Sequence, residues 1–192
     1  MNQSSNQSLQ YLIEKTIEIR KDVVEISISI GGHAAASLSC IEIMVLLYYS
    51  GVMNISPNNI NKDNRDRFIH SKGHAENVLY SILSDRGFFP REWINKYYRK
   101  GDCRLGGHPD KNIPGVEVTT GALGHGLGMA IGMALAAKMD SKKHLHFVLM
   151  GDAVNARQFR NKRELVRGSV RDTTRDSRCR FGIAGKSSFG WS

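Results

Sequence analysis

TTGALGHGLGMAIGMALAAK, residues 119–138, decides how the rest of the chain is read. Its front part sets Gly121, Gly124 and Gly126 around Leu123 and His125, a turn in which the backbone can come close to a ligand. Its back part, Leu127–Lys138, is a helix of small residues, with Gly128, Gly132 and Ala136 at intervals of four. Such a face lets a neighbouring backbone approach. A glycine-rich turn that runs into a helix points unpaired N–H groups at one spot, which suits an anion.

Just downstream, HLHFVLM (144–150) reads as a buried strand ending in Gly151-Asp152. Upstream, Phe68 and Ile69 open a short strand, and Ser71-Lys72-Gly73-His74 turns into a helix over AENVLYSILSDRG (75–87). Pro90 fits the first turn of a further short helix, REWINKYYR (91–99). At the front, segment 8–29 places Leu9, Leu12, Ile13, Ile17, Ile19, Val23, Val24 and Ile26 at spacings of mostly three and four, an amphipathic helix that ends towards Gly31-Gly32. Segment 38–50 is apolar nearly all round and is expected to be a buried helix, and 54–66 is loop by composition. Helices separating short strands predict an α/β fold, a parallel sheet with flanking helices. In open sheets of that kind ligands bind where the strands end and turn into helices.

Four glycine-rich turns occupy such places: GGHAAAS (31–37), SKGHA (71–75), GGHPD (106–110) with TTGALGHG (119–126), and LMGDA (149–153). Imidazole beside glycine adds a donor or acceptor that works near neutral pH. A strand ending in Gly-Asp presents a carboxylate able to ligate Mg²⁺ or another divalent cation on a diphosphate. The pattern describes a polar pocket for an anionic cofactor with a hydroxylated substrate beside it.

The order of GGHAAASLS, DRFIHSKGHAENVLYSIL, GGHPD, PGVEVTTGALGHGLGMAIGMALAAK and VLMGD resembles the N-terminal, thiamine diphosphate-binding domain of transketolase, above all the form made as a separate N-terminal subunit. The resemblance spans about residues 8–152. SKGHA, GHPD and GALGHG favour transketolase over the related deoxyxylulose phosphate synthase type. It implies an enzyme dependent on thiamine diphosphate and Mg²⁺ that moves a two-carbon ketol unit from a ketose phosphate to an aldose phosphate. By motif, His74 would approach the cofactor diphosphate, and Gly121, Leu123 and Gly124 would contact the cofactor. His33 and His108 would face the substrate and handle protons, and Asp152 would ligate the metal. The family also implies a second, C-terminal subunit or domain completing the cofactor site, and a homo- or hetero-oligomer. The isolated chain is therefore expected to be inactive in ketol transfer.

Each histidine has a plainer reading. His33 could cap a helix, His74 could start one, and His108 could be a turn residue. His125 could be a helix-start residue, while His144 and His146 share one face of a strand and are expected at the surface or in packing. His70 and His74 stand four apart, but Gly73 breaks the helix that a zinc pair would need.

Bulk properties set the outer limits. Hydrophobic residues at 41% and charged residues at 23% fit a soluble globular domain. No apolar run approaches the ~20 residues of a membrane-spanning helix, and MNQSSNQSLQ lacks the layout of a secretory signal. Cys40, Cys103 and Cys179 form no C-x-x-C pair, which argues against a disulfide scaffold and fits a cytoplasmic address. The net charge of +9 is uneven: residues 1–152 hold 17 Lys/Arg against 15 Asp/Glu, and residues 153–192 hold 10 against 3.

At residue 153 the reading changes. The family's metal motif is Gly-Asp-Gly with a later asparagine, whereas here Ala153 follows Asp152 and Asn155 and Asn161 stand too close. Residues 153–192 form a basic stretch with eight arginines, expected to be disordered and to lack the strand that the sheet still needs. The expectation is a coding-frame change after residue 152 that leaves the fold incomplete on its C-terminal side. A nucleic-acid-binding basic arm is the less favoured reading, because an arm should follow the last element of a domain rather than interrupt it.

Overall fold

The computed structural model describes residues 3–98, 104–151 and 179–183, with side chains within 8–98 and 104–151. Six α-helices flank a three-stranded parallel sheet among the described residues. Helix α1 is Gln3–Ser29, α2 Ala34–Leu38, α3 Ile41–Tyr49, α4 Glu76–Asp85, α5 Glu92–Tyr97 and α6 His125–Met139. Strand β1 is Arg67–His70, β2 His146–Met150 and β3 Cys179–Ile183, in the order β1-β2-β3.

The centres of β1 and β2, Phe68-Ile69 and Phe147–Met150, read as continuous apolar runs because both faces of these two strands are covered. In β1 and β2 successive side chains point to opposite faces. Phe68, Phe147 and Leu149 join the large core formed with α1, α3 and α4, which includes Val23, Ile41, Met44, Leu79 and Ile82. Ile69, Val148 and Met150 face the other way, against Leu127 and Ala130 of α6. The register pairs Arg67 with His146 and His70 with Leu149, so both strands end at the same rim.

Helix α4 is buried from Glu76 through Ser84, although that stretch includes Glu76, Asn77, Tyr80 and Ser81. A helix buried on every side has no solvent for its polar groups, so they must look to protein partners. Those partners turn out to hold the site.

Three expectations need correction. The buried helix expected over 38–50 is α3 and begins only at Ile41, because the backbone breaks at Cys40 (φ −132°, ψ 10°) and Leu38 ends the separate short helix α2. Among the described residues of this chain the small-residue face of α6 meets no neighbour: a Cβ on Gly128 or Gly132 would have nothing within 4 Å. The close approach lies on another face, two residues before Gly128 at Gly126, where a Cβ would come within 2.5 Å of Ser71. Finally, the basic stretch does supply a strand. β3 runs parallel to β2, pairing Val148 with Phe181 and Met150 with Ile183. Cys179, Phe181 and Ile183 alternate with Arg180 and Gly182, a short period-two pattern that the surrounding arginines concealed. The rest of 153–192 lies outside the described residues.

Candidate active site

Beyond the end of β1 the chain turns sharply, and three separate loops meet there. Thr120 ties two of them to the strand: its N–H donates to Pro109 O at 3.0 Å and its hydroxyl to His70 O at 2.8 Å. Gly73 and Gly121 then touch backbone to backbone. A Cβ on Gly73 would lie 2.8 Å from Gly121 Cα, and one on Gly121 would lie 2.9 Å from the His108 ring. Neither position can hold a side chain without separating the loops.

That contact brings together three of the histidines singled out in the sequence. The rings of His33 and His74 stand 4.8 Å apart and those of His74 and His108 5.0 Å apart, both edge-to-face. His33 and His108 are exposed and His74 is half-buried, so the row lines an open rim. Burial, and then the adjoining His33 and His108 rings, push His74 below the ordinary histidine value. Neighbouring imidazoles resist being charged together, so His74 is held neutral near pH 7, able to donate at one nitrogen and accept at the other.

Helix α4 supports the row from beneath. Glu76 Oε1 lies 3.2 Å from His33 Nδ1. The Asn77 side-chain amide donates to Gly31 O at 3.2 Å and to Ser27 Oγ at 2.9 Å, anchoring the turn before His33. In that turn Gly32 has φ +105° and leaves no room for a Cβ, which would lie 2.7 Å from the Asn77 amide. The Tyr80 hydroxyl lies 2.9 Å from Gly106 O and 3.0 Å from His108 O, which holds the GGHPD loop. His33 is the residue before α2 and makes no side-chain capping bond to it.

The family model for transketolase, described as its thiamine diphosphate binding domain, matches residues 12–153. This chain belongs to the transketolase family. It is 44% identical over 134 residues to an apulose-4-phosphate transketolase subunit of Phocaeicola vulgatus, covering 69% of this chain and 47% of that protein. It is also 39% identical to a 6-deoxy-6-sulfo-D-fructose transketolase subunit of a Clostridium species, covering 63% of this chain and 44% of that one. Among solved structures, the transketolase of Leishmania mexicana superposes with a TM-score of 0.64 at 29% identity, over 74% of this chain and 23% of its own. That of Campylobacter jejuni gives 0.62 at 33%, over 79% and 24%. The chain spans about half the length of the apulose-4-phosphate transketolase relatives it matches, 47% and 54%.

In this transketolase-family chain the remaining candidates fall around the same rim. Gly124, with φ +85°, is the residue before α6 and is buried, and Leu123 beside it is 44% exposed. Asp152 lies outside the described residues. Gly151, which precedes it, is buried where β2 ends, beside the Lys72 side chain. Among the described residues no group of three or more His, Cys, Asp or Glu could hold a metal ion.

Other histidines stand apart from the row. His70 and His146 are each 3% exposed, and burial pushes each down to about 4. His70 Nε2 is bonded to Ala75 O at 3.1 Å. His125 is the exposed first residue of α6. Sequence reasoning missed Glu76, Asn77, Tyr80 and Tyr98. The signal was a pair of polar residues, Glu76-Asn77, opening a helix too apolar to have a solvent face.

Proposed function

We propose that this chain is the cofactor-diphosphate subunit of a transketolase-type enzyme, which transfers a two-carbon ketol unit from a ketose phosphate, or a related ketose with an anionic end, to an aldose phosphate. The observation that carries this reading is the meeting of His33, His74 and His108 beside the Gly73–Gly121 contact, at the end of β1. The residues present suit thiamine diphosphate: two glycines bare the backbone where the loops meet, and the turn at Gly124 leads directly into the N-terminus of α6, whose dipole favours an anion. Gly121, Leu123 and Gly124 would contact the cofactor and His74 would approach its diphosphate. When bound, thiamine diphosphate supplies a nucleophilic carbon and an electron sink.

His33 and His108 flank His74, and each would bind substrate hydroxyls and hold or release a proton at a ring nitrogen. Asp152 is the residue we assign to Mg²⁺, as a hard oxygen ligand. A second subunit is needed to complete the pocket, in keeping with relatives named as transketolase subunits. Titrating the purified chain with thiamine diphosphate and Mg²⁺, then assaying it with and without a C-terminal transketolase-type subunit, tests the proposal. Activity is expected only in the mixture. Turnover of a ketose phosphate by this chain alone would refute the need for a partner.

One observation favours a second reading, a non-catalytic fragment that folds partially or poorly: the chain spans 47% of the Phocaeicola vulgatus relative. A sharp thermal transition raised by the cofactor would exclude it. We further assign the change at residue 153 to a shift of coding frame. If neither alternative frame of the nucleotide sequence after codon 152 yields transketolase-like sequence, that assignment is wrong.

A further inference from the structure

Glu76 is a carboxylate with none of its side chain exposed, at the first position of α4. Buried charge has to be met by donors. The N-terminal amides of α4 favour a negative group there. The Tyr98 hydroxyl lies 3.0 Å from Glu76 Oε1, the same oxygen that faces His33 Nδ1 at 3.2 Å. Tyr98 is fully buried and its hydroxyl also lies against Asn77 Oδ1, so its place is set by α4 itself.

With Glu76 ionised and the imidazole neutral, the contact with His33 admits one arrangement. If Nδ1 carried no proton, its lone pair would face a carboxylate oxygen across 3.2 Å. Nδ1 must therefore carry the hydrogen and donate it. The hydrogen bond made by one ring nitrogen determines the state of the other. With Nδ1–H engaged, Nε2 on the far side of the ring keeps its lone pair.

We propose that Glu76 is the positioning residue of His33, locking its imidazole as the Nδ1–H tautomer so that Nε2 is presented to the rim as the acceptor for a substrate hydroxyl. A carboxylate behind a histidine plays this part in other catalytic sites, where it holds ring orientation and tautomer. The acceptor role of Nε2 rests on the reading of His33 as a substrate contact, whereas the tautomer does not.

The test reads the ring nitrogens of His33 by nitrogen-15 NMR in the full chain at a pH where the ring is neutral, assigned by the signal lost in His33→Asn. The pyridine-type nitrogen is expected at Nε2 in the native chain. Glu76→Gln keeps an oxygen that can accept, and should keep that pattern. Glu76→Ala removes the acceptor, and the pyridine-type signal at Nε2 should be lost. A pyridine-type Nδ1 in the native chain overturns the proposal, and so does an unchanged spectrum in Glu76→Ala. If Glu76→Ala fails to fold, the native and Glu76→Gln spectra still decide. No cofactor or partner enters the measurement, so failure of ketol transfer in a separate assay would leave the result standing.

Discussion

Beyond β1, His33, His74 and His108 stand at an open rim with their rings about 5 Å apart, while inside the sheet His70 and His146 are each 3% exposed. The glycines divide in the same way. Gly73 and Gly121 face one another at backbone distance, whereas Gly128 and Gly132 on α6 face open space. The same residue types thus line an open rim in one region and serve only the backbone or the core in the other. What separates them is what stands next to each: a neighbouring ring and loop at the rim, packed strands in the sheet, and no described residue on the outer face of α6.

The comparison breaks most visibly at His108. In an active assembly with a partner subunit, His108→Ala should lower turnover by roughly 10²–10⁴-fold, the range for a lost general acid or base. Its exposed ring supports no core, so the thermal midpoint should stay in place. Steady-state kinetics beside a melting curve check both, and full turnover would remove His108 from the reaction.

His70 should behave oppositely, affecting stability and not the reaction. Its value in the fold is about 4 against an ordinary 6.5. Above pH 6.5 it is neutral in both folded and unfolded chains, and its contribution is complete. As the pH falls towards 4 the unfolded chain takes up the proton first, so stability is lost through that window, up to about 3 kcal/mol for this group. His146, lowered by burial in the same direction, adds to the loss. Urea unfolding at pH 7 and pH 4.5 measures it, and His70→Gln should flatten the slope.

Among the glycines, Gly73→Ala should cost about 1–3 kcal/mol and weaken cofactor binding, because its new methyl meets backbone and not a side chain that can swing away. Calorimetry with thiamine diphosphate would register both effects. Gly132→Ala sharpens the contrast with the smallest change, a gain of about 0.5–1 kcal/mol from better helix propensity in open space. A loss in the melting curve would show that something covers that face of α6 in solution.

Much of the architecture was legible. The runs over 67–70 and 146–150 are short, apolar and followed by glycine turns, and helix spacing marks α1, α4 and α6. The histidines of the rim were legible because each sits beside a glycine at a strand or helix end. Less visible were side chains whose partners are remote in sequence. Glu76 and His33 are 43 residues apart, and Tyr80 and His108 are 28 apart. No local spacing encodes such pairs. β3 was missed for another reason: five residues of alternation within an arginine-rich stretch give too little periodic signal.

Sequence by itself determined the family, the order of the main elements through β2 and the residue types at the rim, because glycine turns and apolar periodicity are local properties of the chain. Tertiary structure alone decided which glycines must be glycine, which histidines meet, and that α4 carries a buried carboxylate behind His33. Those depend on how closely distant segments approach, and that distance is set by packing.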